Sequence, residues 1–151
     1  MVIYEDYGMR FEVPEQWELF TNEEDNNGFN SLYFRYVTKG QRSSFWMQSK
    51  YDSVDIDEEM NRLTSILTRT YKEQNINYSL EPPKRTNLSG FSALTVNYQI
   101  SNSDGFEAIG TTNLLLCRTG TIMIGEERTT GFPANEHSAA LSKLLETFTC
   151  N

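Results

Sequence analysis

The sequence predicts an α+β fold in which two amphipathic helices pack on one large antiparallel β-sheet. In most of the chain apolar residues alternate with polar ones, and turn-forming residues separate the alternating segments. The apolar period changes to helical spacing between Met60 and Tyr71, and again between Ala140 and Phe148. Several strands carry large apolar side chains on both faces, so we expect helices or loops to cover both sides of the sheet. The length of 151 residues predicts a single domain spanning 1–151.

The first strands lie in the stretch YGMRFEVPEQWEL, residues 7–19. Met9 and Phe11 alternate with polar residues, as in a half-buried strand. Pro14 has no N–H to donate to a sheet, so the strand ends there, and Trp17 opens the next apolar segment. We interpret Pro14 as a strand terminator. We interpret Trp17 as a core residue rather than a ligand-stacking one, because large aromatic side chains are mostly buried.

The next two strands, 31–38 and 44–51, are predicted to form a hairpin. The sequence TKGQRS between them predicts a loop longer than two residues. A helix follows, which we expect to end near Gln74. Asp55 and Glu58 fit a capping box at its start, because they lie three residues apart just before the apolar stripe.

The second half of the chain predicts a short strand at 76–80, a three-stranded meander from Ala93 to Glu127, and the second helix. Asp104-Gly105 and Thr119-Gly120 mark the two turns of the meander. Consecutive hairpins predict an antiparallel sheet. Asn135 is the expected N-cap of the last helix.

The charge of the chain excludes several classes of partner. A formal net charge of -8 repels nucleic acid and disfavours docking on anionic membranes. No apolar run approaches the roughly 20 residues that span a bilayer, so we expect no direct membrane insertion of this chain. The N-terminus lacks the features of a signal peptide. We expect a cytoplasmic protein if Met1 is the native start, and a cell-envelope or secreted one if a leader has been removed.

Three segments resemble the Mog1/PsbP-like family, which includes the bacterial DcrB-like domains. YGMRFEVPEQWEL resembles the family's opening hairpin, in which a short strand, a proline, two turn residues and a tryptophan lead into a second strand. NLSGFSALTVNYQI, residues 87–100, resembles its Gly-aromatic-x-Ala entry into the meander, and EHSAALSKLLETF resembles its terminal helix. The resemblance covers nearly the whole chain in element order. It implies an α/β/α sandwich and a bacterial, mostly non-catalytic binding protein.

The sequence contains no recognisable catalytic constellation. His137 is the one histidine, and although it could meet Cys117 in space, we expect a solvated side chain in the first turn of the last helix. No serine lies in a G-x-S-x-G motif. Cys117 and Cys150 are too few for a disulfide framework or a thiolate metal site. We expect two separate thiols, with pairing as the alternative in an oxidising compartment.

Two acidic clusters are the candidates for cation binding. The first comprises Asp52, Asp55, Asp57, Glu58 and Glu59. It lacks the spacing and the glycine of an EF-hand loop, and the positive end of a helix dipole explains the same residues. The second comprises Glu23, Glu24 and Asp25, which we interpret as a solvated loop that could face a basic partner. We therefore predict no metal and no cofactor.

Together these observations predict a non-enzymatic binding or accessory domain that engages a protein partner through a sheet face or an acidic loop. Two alternatives stay open. One is a carboxylate-based enzyme that binds a cation or a small molecule. The other is a domain of an envelope lipoprotein whose leader has been removed.

Overall fold

A computed structural model describes residues 1–24, 30–50, 55–118 and 120–150. The elements follow the order β1 Val2–Asp6, β2 Met9–Val13, β3 Glu18–Glu24, β4 Asn30–Thr38, β5 Gln41–Lys50, α1 Ile56–Glu73, β6 Asn77–Leu80, β7 Lys84–Leu88, β8 Phe91–Ser101, β9 Glu107–Cys117, β10 Gly120–Thr129, α2 Ala134–Thr147 and β11 Thr149–Cys150.

The strands form two antiparallel sheets. The larger has the order β3-β4-β5-β10-β9-β8-β6, with β7 also paired to β8, and the smaller has the order β1-β2-β11. The predicted three-stranded meander is confirmed as β8, β9 and β10, which pair in sequence. The predicted α+β class is also confirmed.

The large sheet is covered on both faces. On one face, Phe34 and Phe45 of the large sheet pack with Phe11 of the small sheet and Leu144 of α2 to form the main core. On the other face, Met60 of α1 packs in a second core with apolar residues of β8, β9 and β10. The expectation that both sides of the sheet are covered is therefore confirmed, with α2 and the small sheet on one side and α1 on the other.

The opening stretch does not form a hairpin within one sheet. Strand β2 belongs to the small sheet and β3 to the large one. Between them the backbone N–H of Trp17 donates to the carbonyl of Pro14 over 3.0 Å, and this tight turn carries the chain from one sheet to the other. Trp17 is 4% exposed, which confirms it as a core residue. The hairpin that does form pairs β1 with β2.

The loop between β4 and β5 is shorter than predicted. Thr38 pairs with Gln41, which leaves only Lys39 and Gly40 in the turn. Both residues have positive φ, 52° and 76°, as the favoured two-residue hairpin turn requires. The prediction of a longer loop was wrong because lysine is not a typical residue for this backbone conformation.

The two helix starts differ. Asp55 is the N-cap of α1, where its side chain accepts hydrogen bonds from the backbone N–H groups of Asp57 and Glu58. The predicted end near Gln74 is confirmed, since Gln74 is the C-cap. The predicted cap of α2 was wrong, because Pro133 holds the N-cap position and Asn135 lies inside the helix. Neither helix in the described part of the chain is long and apolar enough to cross a membrane.

Candidate functional site

The acidic residues at the start of α1 engage separate protein groups. Asp55 caps the helix, Asp57 forms an ion pair with Arg85 over 2.5 Å, and Glu59 forms an ion pair with Arg62. Among the described residues, no three His, Cys, Asp or Glu side chains gather into a possible metal site. Asp52 lies outside the described residues.

The second acidic cluster is only partly covered by the structure. Glu23 and Glu24 belong to the end of β3 rather than to a loop. Asp25 lies outside the described residues. The strand therefore extends two residues into a segment that we predicted to be a loop.

The two cysteines form a disulfide. Cys117 at the end of β9 and Cys150 in β11 are bonded, with their Cα atoms 6.0 Å apart. The expectation of two separate thiols was wrong. The spacing of the cysteines does not indicate that β11 lies beside the end of β9. The position of β11 is set by its pairing with β2. The bonded Cys117 is not available to His137 as a thiol.

His137 is buried rather than solvated, which contradicts the expectation from sequence. It lies in the first turn of α2 but is only 4% exposed, because this turn packs directly on the large sheet. Its Nδ1 atom is 2.6 Å from Ser43 Oγ of β5, and its Nε2 atom is 2.5 Å from a carboxylate oxygen of Glu126 of β10.

A fourth residue completes this buried network. The indole N–H of Trp17 donates to Ser43 Oγ over 2.9 Å. One assignment of hydrogens satisfies every group: the Ser43 hydroxyl donates to Nδ1 of neutral His137, and the Nε2–H of His137 donates to Glu126. We call the chain of Trp17, Ser43, His137 and Glu126 the buried relay. It links the β2–β3 turn, two strands and α2.

The buried relay contains the residue types of a hydrolytic triad but cannot present a nucleophile. Ser43 is 0% exposed, and its Oγ already accepts the Trp17 N–H. A polar cleft of about 390 Å³ touches His137 and Glu126, and its described lining does not include Ser43. A nucleophile must reach its substrate, so this arrangement anchors α2 to the sheet instead. Sequence reasoning missed it because its four residues come from four different parts of the fold and match no motif.

A larger, mostly apolar groove lies on the opposite face of the sheet, beside α1. Helix α1 packs over β6, β8 and β9, and the groove opens between the helix and the neighbouring strands β4 and β5. We call it the α1 groove. Its volume is about 540 Å³, and it is lined by Ser31, Tyr33, Trp46, Gln48, Leu63, Ile66, Leu67, Tyr71, Tyr98, Thr112, Met123 and Glu127.

Two glycines make room for the aromatic side chains in the α1 groove. Gly125 pairs across the strands with Trp46, and a Cβ atom placed on Gly125 would lie 1.8 Å from the indole ring. Gly110 pairs with Tyr98, and a Cβ atom there would lie 2.5 Å from the phenol ring. Both rings therefore lie across bare backbone, where a glycine permits an approach that other residues forbid.

One charged side chain, Glu127, is among the described lining residues of the α1 groove. Glu127 accepts a hydrogen bond from the Tyr98 hydroxyl over 2.8 Å and forms an ion pair with Arg42 over 2.6 Å. Burial, and then the nearby Glu127 carboxylate, raise the pKa of Tyr71 to about 12. The same two causes raise the pKa of Tyr98. Both phenols are therefore protonated at neutral pH and face a carboxylate.

Exposed apolar side chains continue from the α1 groove toward β3. Phe20 is 57% exposed, and its ring lies 5.8 Å from the ring of Tyr33. The guanidinium of Arg35 covers Phe20 at 4.1 Å from the ring centroid. Val37, 53% exposed, alternates with Tyr33 and Arg35 along β4 and so shares their face. The face of the sheet that α1 leaves open thus carries both a groove and an apolar surface beside it.

Comparison with solved structures identifies the fold. The chain is similar to cyanobacterial PsbP (CyanoP) from Synechocystis sp. PCC 6803, with a TM-score of 0.63 and 13% identity over 99% of this chain and 92% of that one. It is also similar to PA94, a protein of unknown function from Pseudomonas aeruginosa, with a TM-score of 0.54 and 16% identity over 100% of this chain and 97% of that one. No protein-family model and no curated protein matches the chain. The predicted PsbP-like fold is therefore confirmed.

Proposed function

We propose that this PsbP-like chain is a non-catalytic accessory domain that binds a protein partner through the α1 groove. The observation that carries the proposal is the groove itself, an open and largely apolar concavity of about 540 Å³ with a few polar groups in its lining. Concave apolar sites with a small number of placed polar groups are typical of binding surfaces. The buried relay supports the non-catalytic part of the proposal, because its serine is 0% exposed.

A protein partner fits this surface better than an isolated small molecule. Exposed apolar side chains continue beyond the groove, with Phe20 next to Tyr33 and Val37 farther along β4, past Arg35. Exposed apolar surface that extends beyond a groove is typical of protein interaction sites. The net charge of -8 favours a partner of basic character, because opposite charges steer association and oppose wrong partners.

The test uses a photo-crosslinking amino acid placed in the groove in the native organism. Ser31 lines the groove, and Ser142 is an exposed residue of α2 on the opposite side of the sheet. We expect a crosslinker at position 31 to capture a defined protein that a crosslinker at position 142 does not. That protein is then purified and its affinity for the wild-type domain is measured.

A variant that fills the groove tests whether the groove is the binding site. Ser31→Trp places a large ring in the groove without changing the core, and Ser142→Trp adds the same ring on the other side. We expect Ser31→Trp to weaken binding of the captured protein at least about tenfold, and Ser142→Trp to leave it unchanged, because truncating or blocking a central contact typically costs more than 1.4 kcal/mol. Equal affinity of the two variants would refute the groove as the binding site.

The disulfide favours a second candidate, a domain that works in the cell envelope. Structural disulfides persist in oxidising compartments and are rare in the cytosol, and Cys117 is bonded to Cys150. The test is alkylation of free thiols in acid-quenched native cells, followed by mass spectrometry. Both cysteines protected from alkylation until reduction would support the envelope candidate, and two alkylated cysteines would exclude it.

A further inference from the structure

The geometry points to a lysine side chain of the partner as the group that enters the α1 groove. This inference rests on the proposed function and names the chemistry that the groove recognises. It combines three features of the groove: an apolar wall, aromatic rings and one carboxylate.

The apolar wall matches the stem of a lysine. Leu63, Ile66 and Leu67 of α1 line the groove together with Met123 of β10. A lysine buries its four methylene groups along such a surface while its ammonium group reaches a polar end. A short or strongly polar side chain would leave this wall exposed to water.

The carboxylate of Glu127 in the groove favours a positive charge. Glu127 lines the groove, whereas its partner Arg42 is not among the described lining residues. A carboxylate has about four lone-pair sites, so Glu127 can accept further donors beside Tyr98 and Arg42. The groove also contains Tyr33, Trp46 and Tyr71, and aromatic faces attract cations. An anion would meet both Glu127 and a molecule of net charge -8.

Lysine suits this carboxylate better than arginine does. A guanidinium binds a carboxylate best through two parallel hydrogen bonds, one to each oxygen. In Glu127 one oxygen already accepts from Tyr98 and the other from Arg42. The lysine ammonium is a compact charge that needs only one remaining acceptor site.

The test compares three probes that share one backbone: the Nα-acetyl N-methylamides of lysine, norleucine and 2-aminoadipic acid. Lysine and norleucine have the same apolar stem, and aminoadipic acid replaces the cation with an anion. Binding to the isotope-labelled domain is followed by NMR. We expect the lysine probe to shift the Trp46 indole N–H and residues 63–71 of α1, and to bind about tenfold more tightly than the norleucine probe, which corresponds to one charge-assisted contact. The anionic probe should bind more weakly than both.

Two variants that each remove one negative charge test whether Glu127 is the carboxylate that binds the lysine probe. Glu127→Gln should reduce the affinity of the lysine probe to that of the norleucine probe. Glu107→Gln removes the same charge from an exposed residue of β9 and should preserve the difference. If Glu127→Gln does not fold, the comparison of probes on the wild-type domain still decides the question.

The outcomes separate this inference from the proposed function. Equal binding of the lysine and norleucine probes, or no shift of groove residues by the lysine probe, overturns the inference. Either result leaves the crosslinking experiment intact as the test of the protein-binding site. If the Ser31→Trp and Ser142→Trp variants bind the captured protein with equal affinity, the proposed function is refuted instead.

Discussion

Ser43 is the residue through which the β2–β3 turn and α2 are joined to the large sheet. Its hydroxyl contacts both the Trp17 indole and the His137 ring, and all three side chains are at most 4% exposed. A buried hydrogen-bonding group that loses its partner costs more than the bond contributed, because it cannot recover its bonds to water. Removing this one small side chain is therefore expected to weaken the region.

We expect Ser43→Ala to lower the free energy of unfolding by about 1–3 kcal/mol, since the variant leaves a buried indole N–H and an imidazole nitrogen without a partner. Chemical denaturation followed by circular dichroism measures the change. Ser142→Ala, at an exposed position of α2, is the control and should change stability by less than about 0.5 kcal/mol. Equal stability of the two variants would show that the Ser43 hydroxyl contributes nothing to stability.

Gly125 is required at its position because of the side chain opposite it. A Cβ atom at Gly125 would lie 1.8 Å from the Trp46 ring, so any side chain there displaces the indole from the α1 groove. We expect Gly125→Ala to destabilise the domain by about 1–3 kcal/mol, as overpacked sites do. The same substitution in a Trp46→Leu background should cost much less, and a double-mutant cycle by denaturation measures the coupling. Additive effects would contradict a direct clash.

At the scale of elements, the sequence predicts the helices and most strands and misses three short strands. Helix α1 and strands β8 to β10 carry long apolar patterns, and their positions are confirmed. Strands β1, β7 and β11 were not predicted, because β1 and β7 are largely exposed and β11 has only two residues held by pairing with β2. Short strands of this kind are defined by their neighbours rather than by their own composition.

The candidate site was less predictable than the fold. The expectation for His137 was wrong because the sequence does not show that the first turn of α2 packs on the large sheet. Glu126 is on the preceding strand, but Ser43 is 94 residues away. The α1 groove likewise combines residues of α1 with residues of five strands. Periodicity indicates which side chains lie on one face of an element, but it does not show which elements meet.

The disulfide is a covalent cross-link between the two sheets. It joins the end of β9 in the large sheet to β11 in the small one. We expect reduction to lower the free energy of unfolding by about 3–4 kcal/mol, because the bond closes a loop of 33 residues in the unfolded chain. Guanidinium denaturation with and without a reductant measures the difference. The double variant Cys117→Ser/Cys150→Ser should not respond to the reductant, and a wild type that also fails to respond would contradict the prediction.

At the scale of the whole molecule, buried phenols make the stability decrease at alkaline pH. The pKa of Tyr71 rises from 10.0 to about 12 in the folded state. Between these values the unfolded chain releases the proton while the folded chain keeps it, so stability is complete below pH 10 and falls as the pH rises toward 12. Tyr98, whose pKa is also raised, adds to the same trend.

We expect Tyr71→Phe to flatten this alkaline decline in part, because the variant has no phenol to ionise at that position. Thermal unfolding measured from pH 9 to pH 12 provides the test, with Tyr78→Phe, at an exposed tyrosine of β6, as the control. An identical slope for wild type and Tyr71→Phe would contradict the assignment.

The small sheet determines how the domain can be tethered. Strands β1 and β11 flank β2 from its two sides, so the first and last strands of the described chain share one sheet. That sheet lies over the face of the large sheet that α2 covers, away from the α1 groove. A linker, a bead or a fused domain attached at either terminus would therefore leave the α1 groove accessible to a binding partner.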